Sequence, residues 1–260
     1  MPFLLALAAA GLLLQQPETM SLVKEPLYPP SLPRGERARL EAEIADARGA
    51  IGRDPANADA ILRLARAQRG LGHVGDALET LTRAIEGKTD TPAIRQERGR
   101  GFILIRKFDL AQREFRKAAE TLPDAHCDVA FALYLLADYK QSHAEYGTCA
   151  QPGFFGYLAA RRAGADPGSA PPFPADPGSE RAPVKLPGSV STTSPSRDTS
   201  IAATYANAVD RLIADDKNGA RELLKPLVEK KKDEWMDPTY IAAEADYARV
   251  FKPERKKKKK

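Results

Sequence analysis

Apolar residues recur along much of the chain at intervals of three and four positions, which is the pattern of helices with one buried face. From Ala58 onward this pattern repeats after 34 residues. Small residues match small ones and large residues match large ones in the two copies: Ala65 and Gly99, Ala77 and Ala111, Leu81 and Phe115, and Ala84 and Ala118. The pattern therefore predicts pairs of helices that repeat along the sequence.

Three such helix pairs are predicted, over residues 58–91, 92–122 and 123–149. The third begins 31 residues after the second, three short of the period, so Pro123 serves both pairs. An additional helix over residues 36–48, followed by Asp54 and Pro55, matches the second helix of a pair that lacks its first. It is predicted to cap the N-terminal end of the array, and residues 151–164 are predicted to cap the other end.

Small residues at the helix crossings give a physical reason for the repeat. Two antiparallel helices of about a dozen residues approach closely only where the facing side chains are small, and one pair alone buries too little surface. Larger apolar residues fill the space between the crossings: Leu64, Leu81, Phe102, Phe115, Val129, Leu133 and Tyr146. We therefore expect neighbouring pairs to stack on one another.

These residues and their 34-residue period resemble the tetratricopeptide repeat. The resemblance covers residues 58–149 and implies an all-α fold, an α-solenoid of antiparallel helix pairs, over residues 36–164. It also implies a non-catalytic scaffold that binds a protein or peptide in the concave groove formed by the first helix of each pair. The groove candidates at the matching positions are Arg66, Arg69, Gln96, Arg100, Phe131 and Tyr134.

Arg66 and Arg100 stand at the same phase of consecutive helix pairs. They are predicted to present two guanidiniums to a carboxylate or an acidic peptide, beside an apolar shelf of Phe131 and Tyr134. The alternative is that both arginines are ordinary helix-forming residues on a solvent-exposed face.

Residues 1–16 are predicted to be a signal peptide. Residues 3–14 form an uncharged apolar run, which is shorter than the roughly 20 residues that cross a bilayer. Ala8, Ala9 and Ala10 offer a cleavage site, and a cut near Gln15 or Gln16 also fits. We expect export to the periplasm or the extracellular space. The alternatives are a buried N-terminal helix or a misplaced start codon, in a protein that is otherwise cytoplasmic.

Two proline-rich stretches separate the predicted parts of the chain. Five prolines lie in residues 17–35; because proline lacks a backbone N–H, these residues are predicted to form a spacer without regular helix or strand. Residues 165–199 are rich in proline, serine and glycine and are predicted to be a disordered linker. A Pro-rich ligand for a groove-type domain is the alternative for this second stretch.

Helical periodicity returns over residues 200–251, which are predicted to form a smaller C-terminal helical segment. Asn218 and Gly219 are predicted to be the turn of a divergent fourth helix pair, and a last helix follows Asp237 and Pro238. Such a segment is small for a core of its own, so we expect it to dock on the solenoid or to need a partner.

Cys127 and Cys149 are the two cysteines of the chain, and they fall at the same end of the third helix pair. Export would favour a disulfide between them, because secreted proteins fold in oxidising compartments. Two buried free thiols are the alternative.

The net charge of +5 belongs to the C-terminus: residues 252–260 carry +6, so the other 251 residues sum to −1. The lysine run consists of Lys256, Lys257, Lys258, Lys259 and Lys260. It predicts an alternative function, that of an adaptor held weakly on a polyanion such as nucleic acid, an anionic membrane or a cell-wall polymer. A terminal lysine run also occurs as a purely solubilising tail.

The sequence contains no pattern that predicts an enzyme. None of the three histidines, His73, His126 and His143, pairs with another histidine or a cysteine at metal-ligand spacing. There is no glycine-rich phosphate loop and no nucleophile elbow. No catalytic, metal or cofactor site and no small-molecule substrate is therefore predicted.

Overall fold

The computed structural model describes residues 16–149, 152–168, 201–230 and 232–251. The helices are α1 (Arg34–Arg53), α2 (Ala58–Gly70), α3 (Val74–Glu86), α4 (Pro92–Leu104), α5 (Phe108–Ala119), α6 (Ala125–Leu135), α7 (Tyr139–Tyr146), α8 (Gly153–Ala163), α9 (Ile201–Ile213), α10 (Lys217–Lys230) and α11 (Pro238–Val250). A 3-10 turn, Lys232–Glu234, precedes α11, and two short strands, β1 (Thr19–Met20) and β2 (Pro26–Leu27), precede α1. The predicted all-α class is confirmed.

The three predicted helix pairs are α2 with α3, α4 with α5, and α6 with α7. Each helix from α1 to α8 packs on the next, and the first helices α2, α4 and α6 also contact one another in order. The predicted α-solenoid is therefore confirmed, with the first helices together on one side. α1 packs on the first pair and α8 on the third, at the positions expected for the two caps.

The turn inside each pair has the same backbone conformation. Gly72, Arg106 and Ala137 adopt left-handed φ values of 83°, 62° and 64°, and the second helix begins two residues later. The next residue donates its N–H to the carbonyl five positions back: His73 to Gln68, Lys107 to Phe102, and Asp138 to Leu133. The left-handed residues are 34 and 31 positions apart, so the turns reproduce the spacing of the sequence copies.

α9 and α10 form a fourth pair with the same turn. Asp215 has a φ of 56°, and the N–H of Asp216 donates to the carbonyl of Arg211 at 2.8 Å. The expected turn at Asn218 and Gly219 is wrong, because both residues lie in the first turn of α10. The carboxylate of Asp216 explains the earlier start: its Oδ1 accepts from the N–H of Gly219 at 2.9 Å and caps the helix. The same bond lowers the pKa of Asp216.

Residues 16–33, called the strap below, contradict the prediction of a stretch without regular strand. β1 and β2 pair antiparallel, with Thr19 opposite Leu27. The prolines are compatible with this ladder because other residues supply its N–H groups, as where Glu18 donates to the carbonyl of Leu27 at 2.8 Å. The strap is therefore a short hairpin.

The strap packs on the solenoid, which a spacer would not do. Leu27 is fully buried, and Pro29 and Pro30 lie against Gly72 in the turn of the first helix pair. A Cβ at Gly72 would come 2.5 Å from Cδ of Pro30, and the left-handed backbone there also favours glycine. Glycine at this position therefore allows the strap and the turn to touch.

The C-terminal segment, α9 to α11, docks on the solenoid. α9 contacts α8, α11 contacts α6, and one apolar cluster continues from the second helix pair into α11. Of the two expected outcomes, docking or a need for a partner, the structure shows docking. The predicted linker lies almost entirely outside the described residues, as do residues 1–15 and 252–260.

Gly99 allows α4 and α5 to approach closely. A Cβ added at Gly99 would lie under 3.0 Å from three ring atoms of Phe115, a residue that is itself fully buried. The other predicted crossing residues are also buried: Ala65, Ala77, Ala84, Ala111 and Ala118. The packing of the second helix pair therefore depends on the missing side chain at position 99.

Gly99→Ala is expected to lower the free energy of unfolding by about 1–2 kcal/mol, because overpacking costs more than the higher helix propensity of alanine contributes. Gly49→Ala is the matched control, since a Cβ there meets its nearest neighbour at 3.8 Å. It is expected to raise the free energy of unfolding by up to about 1 kcal/mol. Urea unfolding measures both, and a stabilising effect at position 99 would contradict the assigned crossing.

Candidate functional site

The first helices of the three pairs, α2, α4 and α6, form a continuous surface, called the first-helix face below. A buried carboxylate lies at its centre. Glu97 on α4 has only 2% of its side chain exposed, and its two oxygens accept from Nε of Arg66 at 3.3 Å and Nε of Arg69 at 2.6 Å. Both arginines come from α2, so Glu97 ties the first two helix pairs together.

The same arrangement continues from α4 to α6. Arg100 donates from Nη2 to Asp128 at 3.1 Å and has Nη1 3.8 Å from Glu97. Gln96 donates from Nε2 to the same Asp128 oxygen at 2.7 Å. Four of the predicted groove residues, Arg66, Arg69, Gln96 and Arg100, therefore lie in one hydrogen-bonded row across the three first helices.

The row is partly open to solvent and keeps an excess of positive charge. Arg66 has 51% and Arg100 has 40% of the side chain exposed, against 29% for Arg69. Three guanidiniums face two carboxylates, Glu97 and Asp128, which leaves one positive charge. Arg66 reaches Glu97 through Nε, and its two Nη nitrogens make no hydrogen bond with the part of the chain that the structure describes.

The predicted apolar shelf of Phe131 and Tyr134 needs correction. Phe131 is half-buried, with its ring centroid 4.6 Å from that of Phe155 on α8. Tyr134 is buried, and its hydroxyl lies 2.9 Å from the hydroxyl of Tyr205 on α9. The docked C-terminal segment covers this end of α6, so Tyr134 is not on an open surface. The sequence pattern did not indicate that this segment lies there.

Asp246 on α11 is the centre of the contacts that hold this cover in place. Its carboxylate accepts from both Nη atoms of Arg162 on α8, at 2.9 and 2.7 Å, and from the hydroxyl of Tyr205 at 2.8 Å. Arg249 donates to it as well, at 2.7 Å. The guanidinium of Arg162 lies over the ring of Tyr139, 4.6 Å from its centroid. The Asp246 cluster therefore joins α7, α8, α9 and α11.

A second buried ion pair joins α11 to the turn of the second helix pair. Arg106 donates to Glu244 from Nε at 2.8 Å and from Nη2 at 2.6 Å. Its remaining donors reach the carbonyls of Leu104 at 2.6 Å and Trp235 at 3.0 Å. Glu244 also accepts from the backbone N–H of Leu22 in the strap. Every partner of this pair is therefore within the protein, which offsets the cost of burying two charges.

The backbone of Arg106 is in the strained left-handed conformation, and these hydrogen bonds stabilise it there. It stands at the left-handed position that Gly72 occupies in the first pair, and a non-glycine residue there costs about 1–3 kcal/mol. Trp235 lies beside it, 1% exposed, with its Nε1 donating to the carbonyl of Tyr28 at 2.7 Å. The turn, the strap and the C-terminal segment thus meet at one point.

Burial raises the pKa of several tyrosines in this region, and Tyr134 and Tyr205 are the two whose hydroxyls meet between α6 and α9. The pKa of Tyr134 is raised well above its ordinary value, mainly by burial and further by the negative charge of Asp246, although Arg162 acts in the opposite direction. The pKa of Tyr205 is raised by the same two causes. Both hydroxyls therefore stay protonated while the segment is docked.

Cys127 and Cys149 are joined by a disulfide, with their Cα atoms 5.3 Å apart. Of the two alternatives that the sequence left open, the structure has the disulfide. Nδ1 of His126 lies 3.0 Å from Glu145 and links the same two helices, α6 and α7.

Other kinds of site are not apparent in the described residues. These residues contain no group of three or more side chains that could hold a metal ion. Among the helices placed by the structure, none is long and apolar enough to cross a membrane. A cleft of about 420 Å³ lies between α1 and α3 over an apolar floor that includes Ile61 and Leu64, and its rim charges Glu79 and Arg83 pair with each other. The five tail lysines lie outside the described residues.

The fold and the site define a helical-repeat protein whose first-helix face is open at one end and covered at the other. No family model and no curated protein sequence matches the chain. Two solved structures are similar to it, and both are tetratricopeptide repeat proteins. YrrB, described as a TPR protein with an unusual peptide-binding site, is 13% identical with a TM-score of 0.39, over 80% of this chain and 84% of that one. A tetratricopeptide repeat protein from Parabacteroides merdae ATCC 43184 is 13% identical with a TM-score of 0.40, over 84% and 70%.

Glu244→Gln is expected to destabilise docking of the C-terminal segment by about 3–5 kcal/mol, because it leaves the buried guanidinium of Arg106 without a counter-charge. The chain has one tryptophan, Trp235, so its fluorescence reports on this contact. The emission should shift to the red at a lower urea concentration than in the wild type. Glu229→Gln, which changes a carboxylate with 57% of its side chain exposed, is the control and is expected to change stability by less than about 1 kcal/mol.

Raising the pH above about 10 is expected to undock the C-terminal segment. Tyr134 and Tyr205 have folded-state pKa values above the ordinary one, so the stability that they contribute is present below that pH and is lost as the pH rises further. Tyrosinate absorbance and helix content, followed together, measure this. A Tyr134→Phe, Tyr205→Phe variant should lose less stability as the pH rises. Ionisation of all tyrosines near pH 10 in a protein that stays folded would contradict the expectation.

Proposed function

We propose that this protein is a non-catalytic scaffold that binds a protein or peptide partner on the open end of its first-helix face, in the cell envelope. The observation that carries the proposal is the row of Arg66, Arg69 and Arg100 held in place by the buried carboxylate of Glu97 and by Asp128.

Pre-positioned guanidiniums favour binding, because less side-chain freedom is lost when the partner arrives. Arg66 has half of its side chain exposed and keeps both Nη nitrogens for an external acceptor. Guanidiniums bind carboxylates with two parallel hydrogen bonds. The partner surface therefore carries at least one acidic side chain or a chain terminus that meets α2 and α4.

The covered end of the face limits where the partner lies. Tyr134 is buried under α9, and Leu135 supplies its carbonyl to Arg249 of α11 at 2.7 Å. The partner therefore follows α2 and α4 and reaches α6 only near Asp128 and Phe131, both of which are partly exposed. Such a short footprint favours a peptide segment over a broad protein surface.

The contacts of the buried carboxylates support a scaffold over an enzyme. Glu244 and Asp246 are fully engaged by arginine and tyrosine donors from other elements. Their position at the contacts between segments gives them a role in holding the fold together.

Export is supported by the disulfide between Cys127 and Cys149, because disulfides persist in oxidising compartments. The apolar run at residues 3–14 agrees with a secretory signal. On this proposal the protein works in the periplasm or outside the cell.

Charge reversal at Arg66 and Arg100 tests the binding face. The intact tagged protein is used to recover partners from an envelope extract, and the double variant Arg66→Glu, Arg100→Glu is expected to recover its main partner at least about tenfold less. Arg83→Glu is the matched control, because Arg83 is 75% exposed on α3 and pairs locally with Glu79. Its recovery should equal that of the wild type.

Unchanged recovery by the double variant, with its helix content and Trp235 emission intact, would overturn the proposal. Removal of residues 252–260 is a further arm. If removal of residues 252–260 abolishes recovery at low salt and the charge reversal does not, the polyanion adaptor is favoured over binding on the first-helix face. This contribution of the tail should be absent at high salt.

A further inference from the structure

The disulfide lies at the junction between the third helix pair and the element that follows it. Cys127 is in the first turn of α6, and Cys149 comes three residues after the end of α7. The bond therefore closes the end of this helix pair opposite its turn. α8 begins at Gly153, four residues beyond Cys149, so the bond also fixes the place from which α8 starts.

Little else holds this end of the pair. α7 has eight residues and buries only Ser142 and Tyr146, and helices of that length are marginal without outside support. The other link across the same end is the pair of His126 and Glu145, whose side chains are 36% and 25% exposed. Exposed pairs of this kind contribute little. α8 also packs on α7 and buries Phe154, Leu158, Ala159 and Ala160. The disulfide therefore fixes the end from which α8 starts, and these apolar contacts hold the rest of the helix.

α8 in turn holds one side of the C-terminal segment. Arg161 pairs with Asp210 of α9, and Arg162 pairs with Asp246 of α11 at 2.7 Å. Phe155 of α8 lies against Tyr134, with ring centroids 5.4 Å apart. Loss of the fixed position of α8 would loosen the Asp246 cluster and the contact between Tyr134 and α9.

The other side of the segment is anchored independently. Arg106 and Glu244, the backbone of Leu22, and Trp235 with Tyr28 connect the second helix pair, the strap and the segment. None of these residues belongs to α7 or α8. The Trp235 end can therefore stay docked while the α9 end opens.

We infer that the disulfide between Cys127 and Cys149 is a redox-controlled latch, whose reduction loosens α8 and α9 on the third helix pair and increases the exposure of Tyr134. A dithiol donor supplies the two electrons and two protons: the S–S bond breaks, two cysteine thiols form, and the donor becomes a disulfide. Cys127 is partly exposed while Cys149 is buried, so the attacking thiolate reaches the sulfur of Cys127. The reduced protein then exposes more of the part of α6 around Tyr134, while α11 stays docked.

Hydrogen–deuterium exchange of the intact protein, with and without dithiothreitol, tests the latch. Reduction is expected to lower protection of α7, α8 and α9 by at least about tenfold, while α2 to α5 keep theirs and Trp235 keeps its emission. The double variant Cys127→Ser, Cys149→Ser should match the reduced wild type. Its own exchange should not change with dithiothreitol, which controls for effects of the reagent.

Equal protection of α8 and α9 in the oxidised and reduced proteins would overturn the inference. So would a uniform loss of protection from α2 to α11, because that pattern means general destabilisation by the missing cross-link. The readout needs no partner, so this result stands apart from the binding proposed for the first-helix face.

Discussion

The buried ion pair between Arg106 and Glu244 connects parts of the chain that are 138 residues apart, and the arrangement of the molecule depends on it. Arg106 lies in the turn of the second helix pair, and Glu244 lies in α11. A charge buried without a partner is strongly destabilising, so the loss of either Arg106 or Glu244 would destabilise the fold. The strap is connected to the same ion pair, because the carboxylate of Glu244 also accepts a hydrogen bond from the backbone N–H of Leu22. One interaction therefore fixes a turn of the solenoid, the N-terminal hairpin and the C-terminal helices relative to one another.

Docking of the C-terminal segment divides the first-helix face into two parts with different chemistry. The part on α2 and α4 is polar and partly exposed, with Arg66 and Arg100 positioned by Glu97 and Asp128. The part at the end of α6 is occupied by tyrosine and arginine side chains around Asp246. In the proposed function the open part binds an acidic partner, and the covered part holds the C-terminal segment on the solenoid. The disulfide joins α6 and the residues after α7, next to α8, which contacts both α6 and α9.

The helix pairs were predictable from sequence because their causes are local. Ala65 and Gly99 mark the crossings of the first two pairs, and the turns at Gly72 and Arg106 have the same 34-residue spacing. The left-handed conformation of Arg106 follows from the same register, since it stands 34 positions after Gly72. The periodicity alone did not indicate that the side chain of Arg106 is buried against Glu244.

The docked arrangement was not predictable in this way. Glu244 and Asp246 look like ordinary charges on a helix, and no spacing connects them with Arg106 or Arg162. The prolines of the strap predict a stretch without strand, because proline lacks a backbone N–H to donate. The ladder forms because it uses the N–H groups of other residues such as Glu18. Tyr134 stood at a groove position and was predicted to be accessible, since the sequence does not show that α9 covers it.

The division of the first-helix face is tested most directly by photo-cross-linking in the intact, oxidised protein. A photoreactive side chain is placed in turn at positions 66 and 134, and the cross-linked peptides are identified by mass spectrometry. Position 134 is expected to cross-link within the chain to α9, and position 66 is expected to cross-link to the bound partner. Capture of the partner from position 134 without a cross-link to α9, or cross-linking of position 66 to the C-terminal segment, would contradict this expectation.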